Sequence, residues 1–289
     1  MNDGKHRNSE SLLNVSFDGF LTPFLTLLQG GVSVKTVIDI GSADGQFGLH
    51  CLILKKDLHI LNVEANRLFE SSLKEIEDEL GVPYKIIALS SHRGMLPMQN
   101  GAENLYNYHV DNTHKDYQVE EYMDCTTLDN LLNEFDFPEP YFVKMDVEGH
   151  EFHILQGADQ TLSKTAAVLM EQHVYGGRSI GDFIDRTNYL ATRNFSLFDI
   201  KQVHYIKRNL NRSIVNVTLG DDPNPAVLRT FHPVFINDKF DFRKLNDHVE
   251  SSSERSGENR ADQQQMKSRR QSIIKSNREF ISHLKNSDH

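Results

Sequence analysis

Cysteine is almost missing from this sequence: 289 residues hold two, Cys51 and Cys125. Two thiols so far apart build no disulfide framework, and neither has a second cysteine at metal-ligand spacing. They read as free thiols of a reducing compartment. Long apolar runs are missing as well. Residues 1–10 are polar and charged, and no apolar run of signal-peptide type follows them. Phe17, Phe20, Leu21, Phe24 and Leu28 recur at helical spacing, but Asp18 and Pro23 interrupt them. Nowhere does the chain reach the ~20 consecutive apolar residues of a membrane helix. A cytoplasmic protein with no membrane span is expected. Positive charge is the third scarcity. The net charge is -10, and residues 250–289 carry 8 basic against 6 acidic side chains, which leaves 23 against 35 before them. An acidic body opposes an electrostatic grip on nucleic acid. No basic stripe and no aromatic-proline motif for a flipped base appear, so no nucleic-acid partner is expected.

What is present is an alternation. Short apolar runs at 36–40, 59–63, 85–88, 141–145 and 167–170 take turns with helical stretches at 46–54, 68–80, 127–135, 151–162 and 180–192. That pattern means βαβ units, a mostly parallel sheet and helices on both faces, a Rossmann-like α/β fold. A further apolar run spans 195–200, and 214–219 alternates like an antiparallel edge strand. The polar stretch 91–121, broken by Gly94, Pro97 and Gly101, reads as a loop. Three regions follow: a helical extension over 1–35, the α/β domain over 36–242, and a polar tail over 243–289. In that tail Met266, Ile273, Ile274, Phe280, Ile281 and Leu284 form one apolar stripe among basic residues, the mark of a short amphipathic helix.

Ligands of parallel sheets sit beyond the carboxyl ends of the strands. The first strand runs into Asp39-Ile40-Gly41-Ser42-Ala43-Asp44-Gly45. Glycines at 41 and 45 allow a sharp turn and close approach of a ligand, and a Cβ at Gly41 is expected to block that ligand while sparing the fold. A dinucleotide loop needs a glycine where Ala43 stands, and Asp44 would repel a phosphate. An acidic, glycine-lined turn suits a cation instead, and S-adenosylmethionine carries an ammonium and a sulfonium. An ordinary tight turn also favours Gly and Asp, and that alternative stays open. Glu64 ends the second strand, where a carboxylate can accept both hydroxyls of a ribose. Ala88, Leu89 and Ser90 at the third strand offer an apolar wall and a polar edge to a base. The fourth strand ends in Asp146-Val147-Glu148-Gly149-His150-Glu151, the densest ionisable cluster at any strand end. Asp146 or Glu148 there is either a group of the reaction or a helix cap. His173 follows the fifth strand, and its ordinary pKa near ~6.5 makes it a candidate base.

The run 146–151, followed by Leu155-Gln156-Gly157-Ala158, resembles the hallmark of the FkbM family of methyltransferases. Val37-Ile38-Asp39-Ile40-Gly41 with Gly45, Thr127-Leu128-Asp129 and Glu171-Gln172-His173 fit the same family, over roughly residues 36–219. Ala43 stands where the family usually has Asn, and Glu64-Ala65-Asn66-Arg67 lacks two usual prolines. The resemblance implies the Rossmann-like class I methyltransferase fold and S-adenosylmethionine as cofactor. It implies a cofactor cradle of Asp39, Gly41, Ser42, Gly45, Glu64, Ala88 and Leu89. Asp146, Glu148 and His173 fall on the side of the chemistry. Transfer to a hydroxyl of a small molecule or carbohydrate is the expected activity. Asp146, Glu148, Glu171 and His173 offer oxygen and imidazole donors, but no spacing demands a metal and none is expected. The rival classes are a non-catalytic binding protein on the same fold and a nicotinamide oxidoreductase.

Overall fold

The computed structural model describes residues 21–100, 108–110, 121–174, 180–208, 214–217 and 226–240. The tail stripe beyond 243, residues 1–20, and the segments 101–107 and 111–120 of the polar stretch lie outside the described residues.

Helix α1 (Leu21–Gln29) leads into β1 (Thr36–Ile40), whose five residues are all buried. After α2 (Gln46–Leu54) come β2 (His59–Glu64), a single 3-10 turn and α3 (Glu70–Leu80). Asn66 caps that turn, its Oδ1 accepting from Leu68 N at 3.0 Å. The third strand splits: β3 (Tyr84–Ile86) pairs with β2, while β4 (Ala88–Leu89) turns away to a second sheet. That sheet adds β5 (Gly94–Asn100), β6 (Tyr108–Val110) and β7 (Glu121–Thr126), in the order β4-β7-β5-β6. The expected loop over 91–121 is therefore largely sheet where it is described. Leu96, Met98, Met123 and Cys125 point to one side and form a small core of their own, and period-two burial of that kind is what holds a strand. Pro97 lies within β5 opposite Tyr122 of β7.

The chain then returns through α4 (Leu128–Leu132) to β8 (Tyr141–Met145), α5 (Glu151–Gln156), α6 (Asp159–Ser163) and β9 (Thr165–Met170). The expected helix over 151–162 is two helices. Asp129 causes the break by capping the second: Gln160 N, Thr161 N and Thr161 Oγ1 all donate to its carboxylate, at 2.7–2.9 Å. Next come β10 (Gln172–His173), α7 (Ile180–Ala191), β11 (Phe195–Arg208), β12 (Ile214–Val217) and β13 (Ala226–Asn237). The main sheet runs β12-β11-β13-β9-β8-β1-β2-β3, parallel from β9 to β3 and antiparallel from β13 outward. It is the expected α/β architecture with an antiparallel edge, except that β13 is a long inserted strand the sequence pattern did not reveal.

Alternate residues of the parallel strands face opposite ways. Ile38, Ile40, Val143, Met145 and Val168 pack on Leu128, Leu131, Ile154, Leu155 and Leu190 of the helices α4, α5 and α7. On the other face Phe142 meets Phe24 of α1 at 5.3 Å and Phe47 of α2 at 6.2 Å. The strand order reverses between β1 and β8, and a crevice opens at their carboxyl ends.

Candidate active site

The crevice at this reversal is lined by Ile40, Gly41 and Ala43 at the end of β1, by Val63, Glu64, Ala65 and Phe69 at the end of β2, and by Ile87, Ala88 and Leu89. Met98 and Val110 of the small sheet close its apolar side, and Asp146, Val147, Glu148 and His150 close its polar side. Of the expected cradle, Gly41, Glu64, Ala88 and Leu89 line it. Asp39, Ser42 and Gly45 do not. Asp146 and Glu148 line it, and His173 stands behind Glu148.

Glu64 is held by main chain. Ala43 N donates to its Oε2 and Asn66 N to its Oε1, both at 2.7 Å. Burial raises its pKa, and the two N–H groups offset part of the rise. The Gly41 backbone is left-handed, with φ +69°, and a Cβ there would run into the carbonyl of Asp146. The expectation that Gly41→Val spares the fold therefore fails, because β8 and not a ligand occupies that space. Gly45, at φ +78°, faces the side-chain ends of Ile76 and Leu73 of α3.

Asp39 is wholly buried and lies beside Lys144, its partner in the β1–β8 register. Lys144 Nζ sits 3.0 Å from Asp39 Oδ1 and 3.8 Å from Asp146 Oδ2, and donates to the Gly41 carbonyl at 2.7 Å. Burial pulls the ammonium pKa down, but Asp39 and Asp146 more than offset it and leave it raised. Lys144 thus ties the glycine turn to the end of β8. Glu151, also fully buried, ion-pairs with Arg186 of α7 at 2.8 Å. Its other oxygen accepts from Gly149 N at 3.1 Å and Val147 N at 3.4 Å. Glu148 sits at φ +57° inside this pinned turn, a strained posture that a fixed neighbourhood can sustain. The helix begins only at Glu151, so no first-turn cap by Asp146 is formed.

Behind Glu148 lies a triad. His173 Nε2 is 2.7 Å from Glu171 Oε2 and 3.3 Å from Glu148 Oε2. The ligating atoms of these three side chains all fall within 4.8 Å of one another. Burial alone would lower the His173 pKa, but the two carboxylates push it up to about 9. The two carboxylates thus favour the protonated form of the ring. Burial raises Glu171 to about 7, with His173 pulling it back and Asp146 and Glu148 adding to the rise. Further along the same turn, burial first and His153 next lower His150 to about 3, and its Nε2 lies 3.1 Å from Ser90 Oγ.

A family model described as the methyltransferase FkbM domain matches residues 39–197, more than half of the chain. The chain belongs to the FkbM methyltransferase family. The matched span carries β1 through the start of β11, and with them both sides of the crevice. No curated protein matches the chain. Among solved structures it is similar to the precorrin-6y C5,15-methyltransferase of Geobacter metallireducens, at 9% identity and TM-score 0.40, covering 74% of this chain and 87% of that one. It is similar to an rRNA methylase of Streptococcus thermophilus at 9% and 0.41, covering 77% and 98%. It is similar to an O-methyltransferase of Thermotoga maritima at 10% and 0.38, covering 75% and 64%. At these scores the likenesses carry no argument about the acceptor. Lys144, Arg186 and Glu171 are the residues of this family site that strand-end reasoning passed over or left without a role. A lysine inside an otherwise apolar buried strand was the available signal for the first.

Proposed function

We propose that the chain binds S-adenosylmethionine in the crevice and transfers its methyl group to a hydroxyl oxygen of a small-molecule or carbohydrate acceptor. The observation that carries this reading is one crevice with two unlike walls. Its β2 wall offers a backbone-anchored carboxylate, Glu64, beside apolar Phe69, Leu89 and Met98. Its β8 wall offers Asp146 and Glu148. Each Glu64 oxygen uses one lone pair on an N–H and keeps another for a ribose hydroxyl. The apolar residues suit a nucleobase, with Ser90 and His150 as its polar edge. When bound, the cofactor supplies an electrophilic methyl group on a sulfonium. Asp146, Glu148 and His173 are the groups we assign to the acceptor side. A hydroxyl must shed its proton as it attacks, and a carboxylate-rich wall serves that need better than an apolar one.

In the same reading the catalytic domain is 36–242, flanked by 1–35 and 243–289. A cytoplasmic location is supported by the free, buried thiols of Cys51 and Cys125. Among the described residues no helix is long and apolar enough to cross a membrane. The acidic body favours a small-molecule or glycan acceptor over nucleic acid.

Calorimetric titration with S-adenosylmethionine and with NAD tests the cofactor: binding of the first alone is expected, and binding of NAD alone would replace this reading with an oxidoreductase. Labelled-methyl transfer to a mixture of sugars and glycans tests the reaction. Cofactor binding without any transfer would favour a binding protein.

A further inference from the structure

We propose that Glu148, Glu171 and His173 form a binding site for one divalent transition-metal cation, of the manganese or zinc class, at the back of the polar wall. The site stands on its own geometry, and its service to the acceptor rests on the methyl-transfer reading above. Main chain brings the three side chains together. Glu171 N donates to the Met145 carbonyl at 3.0 Å, which stitches the end of β9 to the end of β8. His173 is paired with Thr230 of β13, and Val174 N donates to the Arg229 carbonyl at 2.9 Å, so the imidazole hangs from a strand that is already anchored. Glu148 faces both from the turn after β8.

The spacing is that of ligands sharing one ion. With bonds of about 2.1 Å, neighbouring ligand atoms stand roughly 3 Å apart and opposite ones roughly 4 Å. Here His173 Nε2 lies 2.7 Å from Glu171 Oε2 and 3.3 Å from Glu148 Oε2, and the ligating atoms of all three fall within 4.8 Å of one another. Hydrogen bonding does not account for this approach. His173 Nε2 and Glu171 Oε2 are both buried, and neither has a hydrogen-bond partner although they stand 2.7 Å apart. No fixed cation answers the Glu171 carboxylate either. Arg186 touches that residue only at its backbone carbonyl, 3.4 Å away, because its charge is taken by Glu151. Lys144 lies on Asp39 and Asp146. A buried nitrogen and a buried carboxylate oxygen that converge without a hydrogen bond are accounted for by an ion between them.

The donor set selects the ion. Two carboxylates balance a dication, and one imidazole completes a set of three protein ligands that leaves positions open. Magnesium and calcium prefer oxygen throughout, so the nitrogen ligand favours manganese or zinc. Of the three residues, Glu148 lines the crevice, and through it the ion acts on the polar wall. Bound to the metal, that carboxylate is held in place and its charge is offset. No spacing in the sequence demanded a metal, and folding supplies the site by setting residue 148 beside 171 and 173.

The metal alone is the probe. The full chain, stripped with a chelator, is titrated by calorimetry with Mn²⁺, Zn²⁺ and Mg²⁺. One Mn²⁺ or Zn²⁺ per chain is expected, held at least ~10-fold more tightly than Mg²⁺. Glu171→Gln and His173→Ala should each weaken that binding by ~10²-fold or more, while the circular dichroism of the metal-free chain stays unchanged. In the unaltered chain, substoichiometric Mn²⁺ should broaden the ring NMR signals of His173 before those of the other histidines. No binding at millimolar Mn²⁺ or Zn²⁺, affinity within a few-fold in both folded variants, or a bound ion that leaves the His173 signals sharp would overturn the site. Labelled methyl transfer to the sugar and glycan mixture then tests its service to the wall. Transfer should fall at least ~10-fold in chelator and return with Mn²⁺ or Zn²⁺. Undiminished transfer in chelator would overturn that service and leave the methyl-transfer reading intact. If the chain binds the ion and transfers nothing, the site stands and the methyl-transfer reading falls.

Discussion

The two walls of the crevice are built by different means. On the β2 side Glu64 is clamped by main-chain N–H groups of Ala43 and Asn66. On the β8–β9 side Glu148, Glu171 and His173 lie against one another. A backbone clamp fixes a carboxylate in place. A cluster of side chains shares protons and answers to pH. The first arrangement suits a ligand that must be held the same way each time, the second a group that must give and take a proton.

The largest expected effect blurs that contrast at its seam. Gly41→Val should cost more than about 4 kcal/mol, since a left-handed residue gains a Cβ that meets the Asp146 carbonyl. Loss of soluble, cooperatively melting protein is the expected result. A folded variant that had lost only cofactor binding would restore the simpler idea that the glycine serves the ligand alone.

Arg186→Leu comes next. It strands the fully buried Glu151 carboxylate, and removing one partner of a buried pair costs ~3–5 kcal/mol. Urea unfolding measures this directly. A midpoint unchanged from the unaltered chain would mean that the turn 146–151 is not pinned by α7.

Asp146→Asn should act on the polar wall alone, lowering turnover by ~10² or more while cofactor affinity stays within a small factor. If affinity and turnover fell together, Asp146 would belong to the cofactor wall, and the contrast between the walls would fail. Glu64→Gln is the mildest. It should weaken S-adenosylmethionine binding by ~1–3 kcal/mol in calorimetry, with the melting temperature little moved.

The parallel half of the fold was legible because its strands are continuous apolar runs that need no partner to be recognised: 36–40 and 141–145 were placed to the residue. The small sheet was not, because Gly94 and Pro97 read as breakers and the alternation of Leu96 and Met98 is too short to outweigh them. Strand β13 hid for a related reason, with His232 and Pro233 interrupting its middle. At the site, Gly41, Glu64, Ala88, Leu89, Asp146 and Glu148 were found at the crevice by counting strand ends. The pairs across elements were not. Nothing local ties Glu151 to Arg186, 35 positions on, or tells that His173 would face two carboxylates. Pairing of that sort is a property of register and packing, which a linear pattern carries only in part.

Asp39 and Lys144 bear one more consequence, this one for how such a chain can change over time. Both are buried, they face each other across neighbouring strands, and the lysine also grips the turn at Gly41. Exchange of Lys144 alone strands the wholly buried Asp39 carboxylate, a step that selection against unfolded protein would remove. Exchange of both for well-packed apolar residues is tolerable for the sheet but lets the turn go. The pair is thus locked in place by two unrelated demands, and descent by single substitutions has no downhill route away from it.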